Sequence, residues 1–441
     1  MSIDVVPDWL DNLLVCVECR GTDLKREEGG FRCFDCGTQY EIVNRVPLFH
    51  RPSTMVDAAE SLASYLGGLD LLSVQRALST ALRYRLKDPE LRGEFSQIVE
   101  RYPFIDTTEQ SARSEPSPDF EVIAHYFNPV FNSAKEAYRS FRIKSNVDYT
   151  LKSVGERPFN LSYWLTDASG QRIEGVRSAL PIPLHPGREL TVPILIAAPD
   201  TAGEYRIQIM LVQEFERWRD DCILYDGPIS VVATVPPRPG LVTPPHAGYF
   251  DFNEDIARSG KVISLAAEML RRETGSNELM ILEIACGNDP QVLRHNQPGS
   301  LVVACDLSFP QAQLGSLRCV KEELTPVQNF CFISADVFNA PFREASFDII
   351  VICAALHHFA NITVALDQLR KLLKPRGKLV VLREPGKVAA NDPTYIRELE
   401  NGFNEQQFEL DEYDVMFERS KFRPIYQQLD FECSYKAILA T

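Results

Sequence analysis

The chain has 441 residues, more than one hydrophobic core usually accommodates, so its length predicts two to four domains. Its 61 acidic residues outnumber its 46 basic residues, and the net charge of −15 weighs against a nucleic-acid partner, because phosphate binding needs clustered lysine and arginine. The apolar runs are too short to predict a membrane span, and the first ten residues lack the pattern of a secretory signal, so we expect a cytoplasmic protein.

The first predicted element is a small metal-binding module near the N-terminus. Cys16 and Cys19 form one C-x-x-C pair, and Cys33 and Cys36 form a second pair after thirteen intervening residues. Two such turns can place four thiolates around one centre, an arrangement that suits tetrahedral zinc. A site with four protein ligands has no open position, so we expect a structural zinc ion that supplies much of the folding energy of this short segment.

Residues 14–49 resemble the small zinc-ribbon family that includes the activator subunits of certain methyltransferases. The resemblance rests on the paired cysteines, on Gly37 and Tyr40, and on the Val-Pro-Leu sequence at residues 46–48. In that family the ribbon binds and stabilises a methyltransferase partner. The resemblance therefore implies that this chain carries such a module in the same polypeptide as its enzyme, as a domain of residues 1–52.

The second predicted segment, residues 53–119, is helical and then irregular. Leu62, Leu66 and Leu69 have helical spacing, which predicts a packing or spacer helix. Residues 106–119 are rich in serine, threonine, glutamate and proline, a composition typical of a linker.

Residues 120–237 contain short β-prone segments separated by turn signals, which predicts a two-sheet antiparallel β-sandwich. The stretch resembles the immunoglobulin-like domains attached to polysaccharide-export ATPases and other bacterial surface-glycan enzymes, through motifs at residues 186–187, 198–199, 203–205 and 211–218. In some relatives this domain recognises a glycan, which implies a sugar-containing acceptor. Trp164 and Trp218 are the candidate sugar contacts, although aromatic residues on strands more often belong to the core.

After a proline-rich hinge, residues 246–441 become regularly α/β. A helix at about residues 254–272 precedes apolar strands that alternate with amphipathic helices, which is typical of a parallel sheet covered on both faces. The predicted strands begin near residues 279, 300, 330, 347 and 378. A tail with a helix near residues 410–419 and a last strand at about residues 431–439 extends this doubly wound arrangement.

Polar residues lie at the predicted carboxyl ends of these strands, where such sheets bind their ligands. Glu283 and Gly287 follow the first strand, Asp306 ends the second, and Asp336 follows the third. A carboxylate at Asp306 can accept hydrogen bonds from both hydroxyls of a ribose, and it follows Glu283 by about twenty residues, as in nucleotide-binding folds. A dinucleotide-dependent enzyme would also bind a ribose through a carboxylate at this position. The G-x-G-x-x-G sequence that would bind its pyrophosphate is missing, however.

The α/β segment is similar to class I methyltransferases through six ordered motifs, at residues 283–289, 305–306, 335–337, 346–351, 357–359 and 373–377. The resemblance implies a seven-stranded sheet and S-adenosylmethionine as the cofactor. It places Glu283 and Gly287 near the methionine end, Asp306 at the ribose, and Asp336 with Val337 at the adenine.

The glycine-rich turn of that family usually has three glycines, and here Ala285 and Asp289 replace two of them. We keep Ala285 among the cofactor-binding positions because alanine is a mild change. Asp289 followed by Pro290 fits a helix start, with aspartate as the N-cap and proline at the first helical position. A carboxylate near the methionine carboxylate would repel it, so a scaffold without cofactor is the alternative.

Residues 354–359, after the fourth strand, would face the methyl acceptor. Methyl transfer from a sulfonium needs in-line placement of the acceptor more than acid–base help, because a neutral thioether leaves. An oxygen acceptor can still need a base, and His357 or His358 is the predicted catalytic residue, with Glu384 as a lesser candidate. One of the two histidines can instead be a packing residue.

Three functions are compatible with these elements. The first, which we predict, is a multidomain enzyme that uses S-adenosylmethionine to O-methylate a sugar or cell-surface glycan precursor positioned by the sandwich. The second is a methyltransferase of a protein, a lipid or a small metabolite, with a purely structural sandwich. The third is a non-catalytic glycan-binding or assembly protein with a methyltransferase-like shell.

Overall fold

The structure is a computed structural model of the chain. Its described residues are 6–49, 120–233, 240–245, 249–295, 298–359, 361–386, 392–400 and 404–441. The helical segment and linker predicted for residues 53–119 lie outside them. The described residues form three regions: the ribbon (6–49), the two-sheet region (120–233) and the α/β region (240–441). None of the described helices is long and apolar enough to cross a membrane.

The ribbon is a small antiparallel sheet of four strands in chain order. The strands are β1 (Leu24–Glu27), β2 (Gly30–Cys33), β3 (Gln39–Val43) and β4 (Val46–Pro47). Gly29 adopts a φ of +81°, a left-handed conformation that suits the tight turn between β1 and β2. The Phe49 ring centroid lies 5.8 Å from that of Phe31 and 4.8 Å from that of Tyr40. These three rings give the segment an aromatic core.

The two-sheet region has a six-stranded and a three-stranded sheet that contribute to one hydrophobic core. Its strands are β5 (Phe120–Tyr126), β6 (Val130–Asn132), β7 (Glu136–Ser145), β8 (Phe159–Thr166), β9 (Arg172–Glu174), β10 (Ser178–Ala179), β11 (Glu189–Ala197), β12 (Gly203–Gln213) and β13 (Arg217–Val232). The larger sheet has the order β10-β8-β12-β13-β6, with β9 added to β8, and the smaller has the order β11-β7-β5.

Side chains of this region alternate between the core and the outside because successive residues of a strand point to opposite faces. On β8, Leu161, Tyr163 and Leu165 are buried in the core. Strand β6 pairs in parallel with β13, so the expectation of a purely antiparallel arrangement is wrong at this strand. The immunoglobulin-like character of the region stays a prediction.

The α/β region is built on one mixed sheet of eight strands in the order β14-β20-β21-β19-β18-β15-β16-β17. The strands are β14 (Leu241–Val242), β15 (Leu279–Ile284), β16 (Ser300–Asp306), β17 (Phe330–Ser334), β18 (Phe347–Cys353), β19 (Leu373–Pro385), β20 (Arg423–Asp430) and β21 (Ser434–Ala440). Strands β15 to β19 are parallel, and β21 is antiparallel to both of its neighbours. The short β14 from the hinge makes the sheet one strand larger than the expected seven.

The helices of this region are α1 (Phe252–Thr274), α2 (Gln291–Arg294), α3 (Phe309–Lys321), α4 (Ile362–Leu372), α5 (Pro393–Glu400) and α6 (Leu410–Arg419). Asp251 caps α1 by accepting the N–H groups of Asn253 and Glu254, and Gly275 ends it at a φ of +73°. Strands β16 and β17 lie on one side of β15, and β18 and β19 lie on the other. Ligands of such sheets bind at this reversal of order, beyond the carboxyl ends of the strands.

The ribbon packs against the edge strand of the α/β sheet. Leu48 forms a parallel bridge with Ser334 of β17, and the N–H of Phe49 donates to the carbonyl of Ser334 at 2.9 Å. A second contact is antiparallel, between Leu14 and Phe342. Buried side chains of the ribbon and of β17 belong to one hydrophobic cluster. The ribbon therefore covers an apolar edge that would otherwise present unpaired backbone groups.

The two-sheet region contacts the α/β region through different groups. Tyr395 and Leu399 of helix α5 are buried in the core cluster of the two-sheet region. The hydroxyl of Thr191 on β11 donates to Asn404 Oδ1 at 2.5 Å. Arg139 of β7 and Glu412 of α6 form a buried ion pair at 3.4 Å. The irregular residues 404–409 therefore lie between the two regions.

Candidate functional site

Asp306 lies at the end of β16, as predicted, and it connects two turns of the crevice. Its Oδ2 accepts the N–H of Gly287 at 2.7 Å, and its Oδ1 accepts the N–H of Ser308 at 2.8 Å. Burial raises the pKa of Asp306, and the two N–H groups oppose that effect. A carboxylate has about four acceptor positions, so each oxygen can accept one further hydrogen bond from a ribose hydroxyl.

Glu283 lies at the end of β15, but its carboxylate is occupied by the protein. Its Oε1 accepts the N–H of Gln291 at 2.9 Å, and its Oε2 accepts the N–H of Val292 at 2.8 Å. Burial raises its pKa to about 8, although these N–H groups oppose the shift. Glu283 therefore holds the first turn of α2 against the strand, and any influence on the methionine end would act through that turn.

The turn between β15 and α2 has the conformation of a glycine-rich turn. Ala285 adopts a φ of +52° and Gly287 a φ of +55°, both left-handed. This conformation costs a non-glycine residue roughly 1–2 kcal/mol, so the alanine is a strained replacement rather than a mild one. A Cβ added at Gly287 would meet no protein atom within 4 Å. That face of the turn is open to a ligand.

The expected N-cap role of Asp289 is wrong. Helix α2 begins one residue later, at Gln291, and its N-cap residue is Pro290, which makes no side-chain capping bond. The Asp289 carboxylate instead pairs with Arg294 at 2.6 Å and with Arg318 at 3.3 Å. Two guanidinium groups neutralise this carboxylate, so it repels a nearby carboxylate less than an unpaired aspartate would.

The third strand tip is connected to the ribbon. Asp336 follows β17, is half-buried, and accepts the N–H of Phe338 at 2.9 Å. Burial raises its pKa. Val337 is buried beside it, and the side chain of Asn339 donates to the carbonyl of Val17 in the ribbon at 3.3 Å. Asp336, at the predicted adenine end, is therefore only three residues from Asn339, which contacts the ribbon.

His357 and His358 lie directly after β18, on the side predicted to face the acceptor. His357 Nδ1 is 2.6 Å from Glu384 Oε2, and its Nε2 is 3.4 Å from Glu405 Oε1. Burial opposes a positive charge on His357, but the carboxylates of Glu405 and Glu384 outweigh it and raise the pKa to about 10. An imidazole that keeps its proton at neutral pH is a poor general base, so this arrangement disfavours that role for His357.

Glu405 was not identified from the sequence. It lies in an irregular segment 47 to 48 positions after the histidines, and its Oε2 is 3.1 Å from His358 Nδ1. The segment is fixed by neighbouring side chains: Asn404 donates to the carbonyl of His358 at 2.8 Å, and Gln406 donates to that of Phe359 at 2.7 Å. The run of amide and acidic residues at 404–407 is its only signal in the sequence.

The four ribbon cysteines come together as the sequence predicts. Their sulfur atoms all lie within 4.8 Å of one another, and the Cys16–Cys36 and Cys19–Cys33 pairs are each 3.6 Å apart. Sulfur atoms at about 2.3 Å from a tetrahedral zinc ion lie roughly 3.8 Å apart, so the geometry fits that ion. The Tyr40 hydroxyl, 3.0 Å from the Cys16 sulfur, supports the site from the ribbon core.

Trp164 and Trp218 lie on the outer face of the larger sheet rather than in the core. Their ring centroids are 4.7 Å apart with an interplanar angle of 33°. Arg172 lies over Trp164 at 4.6 Å and Arg177 lies over Trp218 at 4.8 Å. Both rings are half-buried, so the pair is an aromatic and cationic surface with part of each ring covered by the protein.

The sequence of the α/β region matches a family model described as a methyltransferase domain over residues 282–381. The chain is 28% identical over 136 residues to the demethylmenaquinone methyltransferase of Thermus thermophilus, a match that covers 30% of this chain and 57% of that protein. It is 25% identical over 187 residues to the 27-O-demethylrifamycin SV methyltransferase of Amycolatopsis mediterranei, covering 41% of this chain and 66% of that protein.

Among solved structures, the chain is similar to a SAM-dependent methyltransferase from Aquifex aeolicus, with 15% identity and a TM-score of 0.32, over 44% of this chain and 99% of that one. The chain spans less than two thirds of the length of the demethylmenaquinone and demethylrifamycin methyltransferases that it matches. The family match and the strand order together show that the α/β region contains a class I methyltransferase domain.

Proposed function

We propose that the protein is a methyltransferase that uses S-adenosylmethionine. The observation that carries the proposal is Asp306, a carboxylate at the tip of β16 that is oriented by the N–H of Gly287 and retains acceptor positions for two ribose hydroxyls. The family match over residues 282–381 contains both residues.

Each part of the crevice has a distinct task in this proposal. S-adenosylmethionine, when bound, supplies an electrophilic methyl group on sulfur. Gly287 lets the backbone approach the methionine end, Asp306 orients the ribose, and Asp336 with Val337 bounds the adenine. Residues 354–359 orient the acceptor, because in-line placement of the reacting atoms contributes most of the rate when the leaving group is neutral.

The acceptor that the comparisons favour is a small molecule. One relative is named for demethylmenaquinone and another for a demethylrifamycin. A sugar or surface-glycan acceptor is the second candidate, and it depends on the half-buried pair Trp164 and Trp218. Arg172 and Arg177 already stack on these rings, so a sugar would have to displace them or bind beside them.

The ribbon has a stabilising function in this proposal. We infer that its four cysteines bind zinc, which fixes the short strands that cover the edge strand β17. The ribbon then stabilises the methyltransferase domain of its own chain by the same kind of contact that the resemblance to activator ribbons implies.

Calorimetry with S-adenosylhomocysteine tests the proposed function. We expect Asp306→Ala to weaken binding at least about fivefold, because two charge-assisted hydrogen bonds to the ribose are lost. Asp367→Ala is the matched control, since Asp367 is a half-exposed aspartate on helix α4 and pairs only weakly with Arg370 at 3.9 Å. Failure of the folded wild-type protein to bind would remove the enzyme proposal and favour the non-catalytic alternative.

A glycan array with the full chain separates the two acceptor classes. Binding that is lost in Trp164→Ala would support the sugar acceptor. A protein that binds S-adenosylhomocysteine but no glycan would support the small-molecule acceptor.

A further inference from the structure

A second group of metal-ligating side chains lies on the acceptor side of the crevice. His357 Nε2 is 3.4 Å from Glu405 Oε1, and His358 Nδ1 is 3.1 Å from Glu405 Oε2. One ligand atom from each of the three residues lies within 4.8 Å of the others. A metal ion about 2.1 Å from such nitrogen and oxygen atoms places neighbouring ligands roughly 3.0–3.5 Å apart, which matches both measured separations.

The position of His357 is fixed by a carboxylate on its other nitrogen. Glu384 accepts from His357 Nδ1 at 2.6 Å, and the same carboxylate accepts the backbone N–H groups of Ala355, Leu356 and His357 at 2.9–3.1 Å. Histidine ligands in metal sites usually donate their second ring N–H to a carboxylate, which fixes the ring and its tautomer. Glu384 therefore directs Nε2 of His357 toward Glu405.

All three side chains are mostly covered by the protein. The side chains of His357, His358 and Glu405 are 6%, 22% and 12% exposed. The segment of Glu405 is held by the hydrogen bonds of Asn404 and Gln406 to the backbone carbonyls of the histidine segment. A site formed on such constrained residues needs little reorganisation to receive an ion.

We propose that His357, His358 and Glu405 bind a divalent transition-metal ion, and that this ion binds an oxygen atom of the methyl acceptor. The second half of the proposal rests on the proposed function. Two imidazoles and one carboxylate suit zinc, iron or manganese, and three protein ligands leave a coordination position open. The ion would replace the imidazolium proton between His357 and Glu405, and the two carboxylates would neutralise its charge.

This arrangement defines the substrate class more narrowly. An ion with an open position selects acceptors that offer an oxygen lone pair, such as a phenol, an enol or a sugar hydroxyl, over carbon acceptors without one. The ribbon differs in this respect, because its four cysteine ligands would leave zinc no open position.

The test is the zinc content of the full chain after equilibrium dialysis against zinc, measured by mass spectrometry of the metal. We expect the wild type to hold one zinc ion per chain more than Glu405→Gln, which keeps the size of the side chain but not its charge. His185→Ala is the matched control, because His185 is an exposed histidine of the two-sheet region that contacts Thr150. It should retain the wild-type content.

Zinc bound by the four ribbon cysteines would add equally to the wild type and to both variants. The difference in their zinc contents therefore reports only the site at Glu405. Equal zinc contents in the wild type and in Glu405→Gln would overturn the metal site. If that variant does not fold, His358→Gln takes its place, because His358 is the most exposed of the three ligands. Binding of S-adenosylhomocysteine by a wild-type protein without the extra zinc would overturn the inference while the proposed function stands.

Discussion

The proposed cofactor end, at the tips of strands β15 to β17, and the proposed acceptor end, at residues 354–359, each contain a buried glutamate. The two glutamates differ in the direction of their pKa shifts. Glu283 accepts two backbone N–H groups, and burial raises its pKa to about 8. Glu384 accepts three, and although burial opposes it, the neighbouring His357 lowers the pKa of Glu384. At Glu283 the two backbone donors do not offset the effect of burial, whereas at Glu384 the adjacent His357 does.

The two ends also differ in how far apart in the sequence their residues lie. The cofactor end consists of strand tips and the turns that directly follow them, so its residues are close in sequence to the strands that carry them. The acceptor end joins His357 to Glu384 and Glu405, which come from β19 and from an irregular segment near the two-sheet region. Changes at one end should therefore have little effect on the other.

The largest expected effect comes from the ribbon, which contacts the cofactor end through β17. Cys33→Ser should reduce the free energy of unfolding by more than about 4 kcal/mol, because a lost zinc ligand removes most of the folding energy of the ribbon. Thermal unfolding followed by circular dichroism measures this. Cys433→Ser is the control, since Cys433 is a half-buried cysteine outside the ribbon. An equal loss in the two variants would contradict the zinc assignment.

The next effect should be confined to the acceptor end. In protein without a metal ion at His357, Glu384→Gln should reduce the free energy of unfolding by about 3 kcal/mol, because a buried imidazolium loses its charge partner. We expect methyl transfer to fall and the affinity for S-adenosylhomocysteine to stay within about twofold of the wild type. A tenfold loss of that affinity in calorimetry would show that the two ends are coupled.

The free energy of unfolding should depend on pH through Glu283. The folded protein holds a proton on Glu283 up to a pKa of about 8, whereas the unfolded chain releases it near 4.5. The stabilising contribution of this group is fully present below pH 4.5 and is lost as the pH rises from there through about 8. Denaturant unfolding at several pH values should show a smaller decline in Glu283→Gln, and an identical decline would contradict the shift.

The smallest effect should be a gain in stability. Ala285→Gly should raise the free energy of unfolding by about 1 kcal/mol, because glycine adopts the φ of +52° without steric cost. The same substitution at Ala266, within helix α1, should lower it by about 1 kcal/mol. A loss of stability in Ala285→Gly would mean that the alanine methyl group contributes packing that outweighs the strain.

The sequence predicts the ends of strands β15, β16 and β17 well and the long-range contacts of His357 poorly. Asp306 lies at the predicted strand end and the four cysteines lie together as predicted, because short-range spacing carries this information. The class I methyltransferase domain in the α/β region was identified for the same reason. Glu405 was missed because an irregular segment has no periodicity that would relate it to the strand before His357.

The local errors have a physical origin as well. Asp289 has the sequence signature of an N-cap, but Arg294 and Arg318 offer it two ion pairs, and Glu283 takes over the N–H groups of the first helical turn. A capping signature in the sequence takes account only of the residues directly after the cap, and not of side chains from other elements. The outcome here depends on an arginine at the end of the same helix, on Arg318 of α3 and on Glu283 of the preceding strand.

The contact between the ribbon and β17 also has a consequence for synthesis of the chain. Arg20 of the ribbon donates to the carbonyl of Ala340, 320 positions later in the sequence. At roughly 5–20 residues per second, the ribosome finishes that partner many seconds after the ribbon has emerged. The ribbon segment therefore spends those seconds without the part of the chain that it contacts in the folded protein.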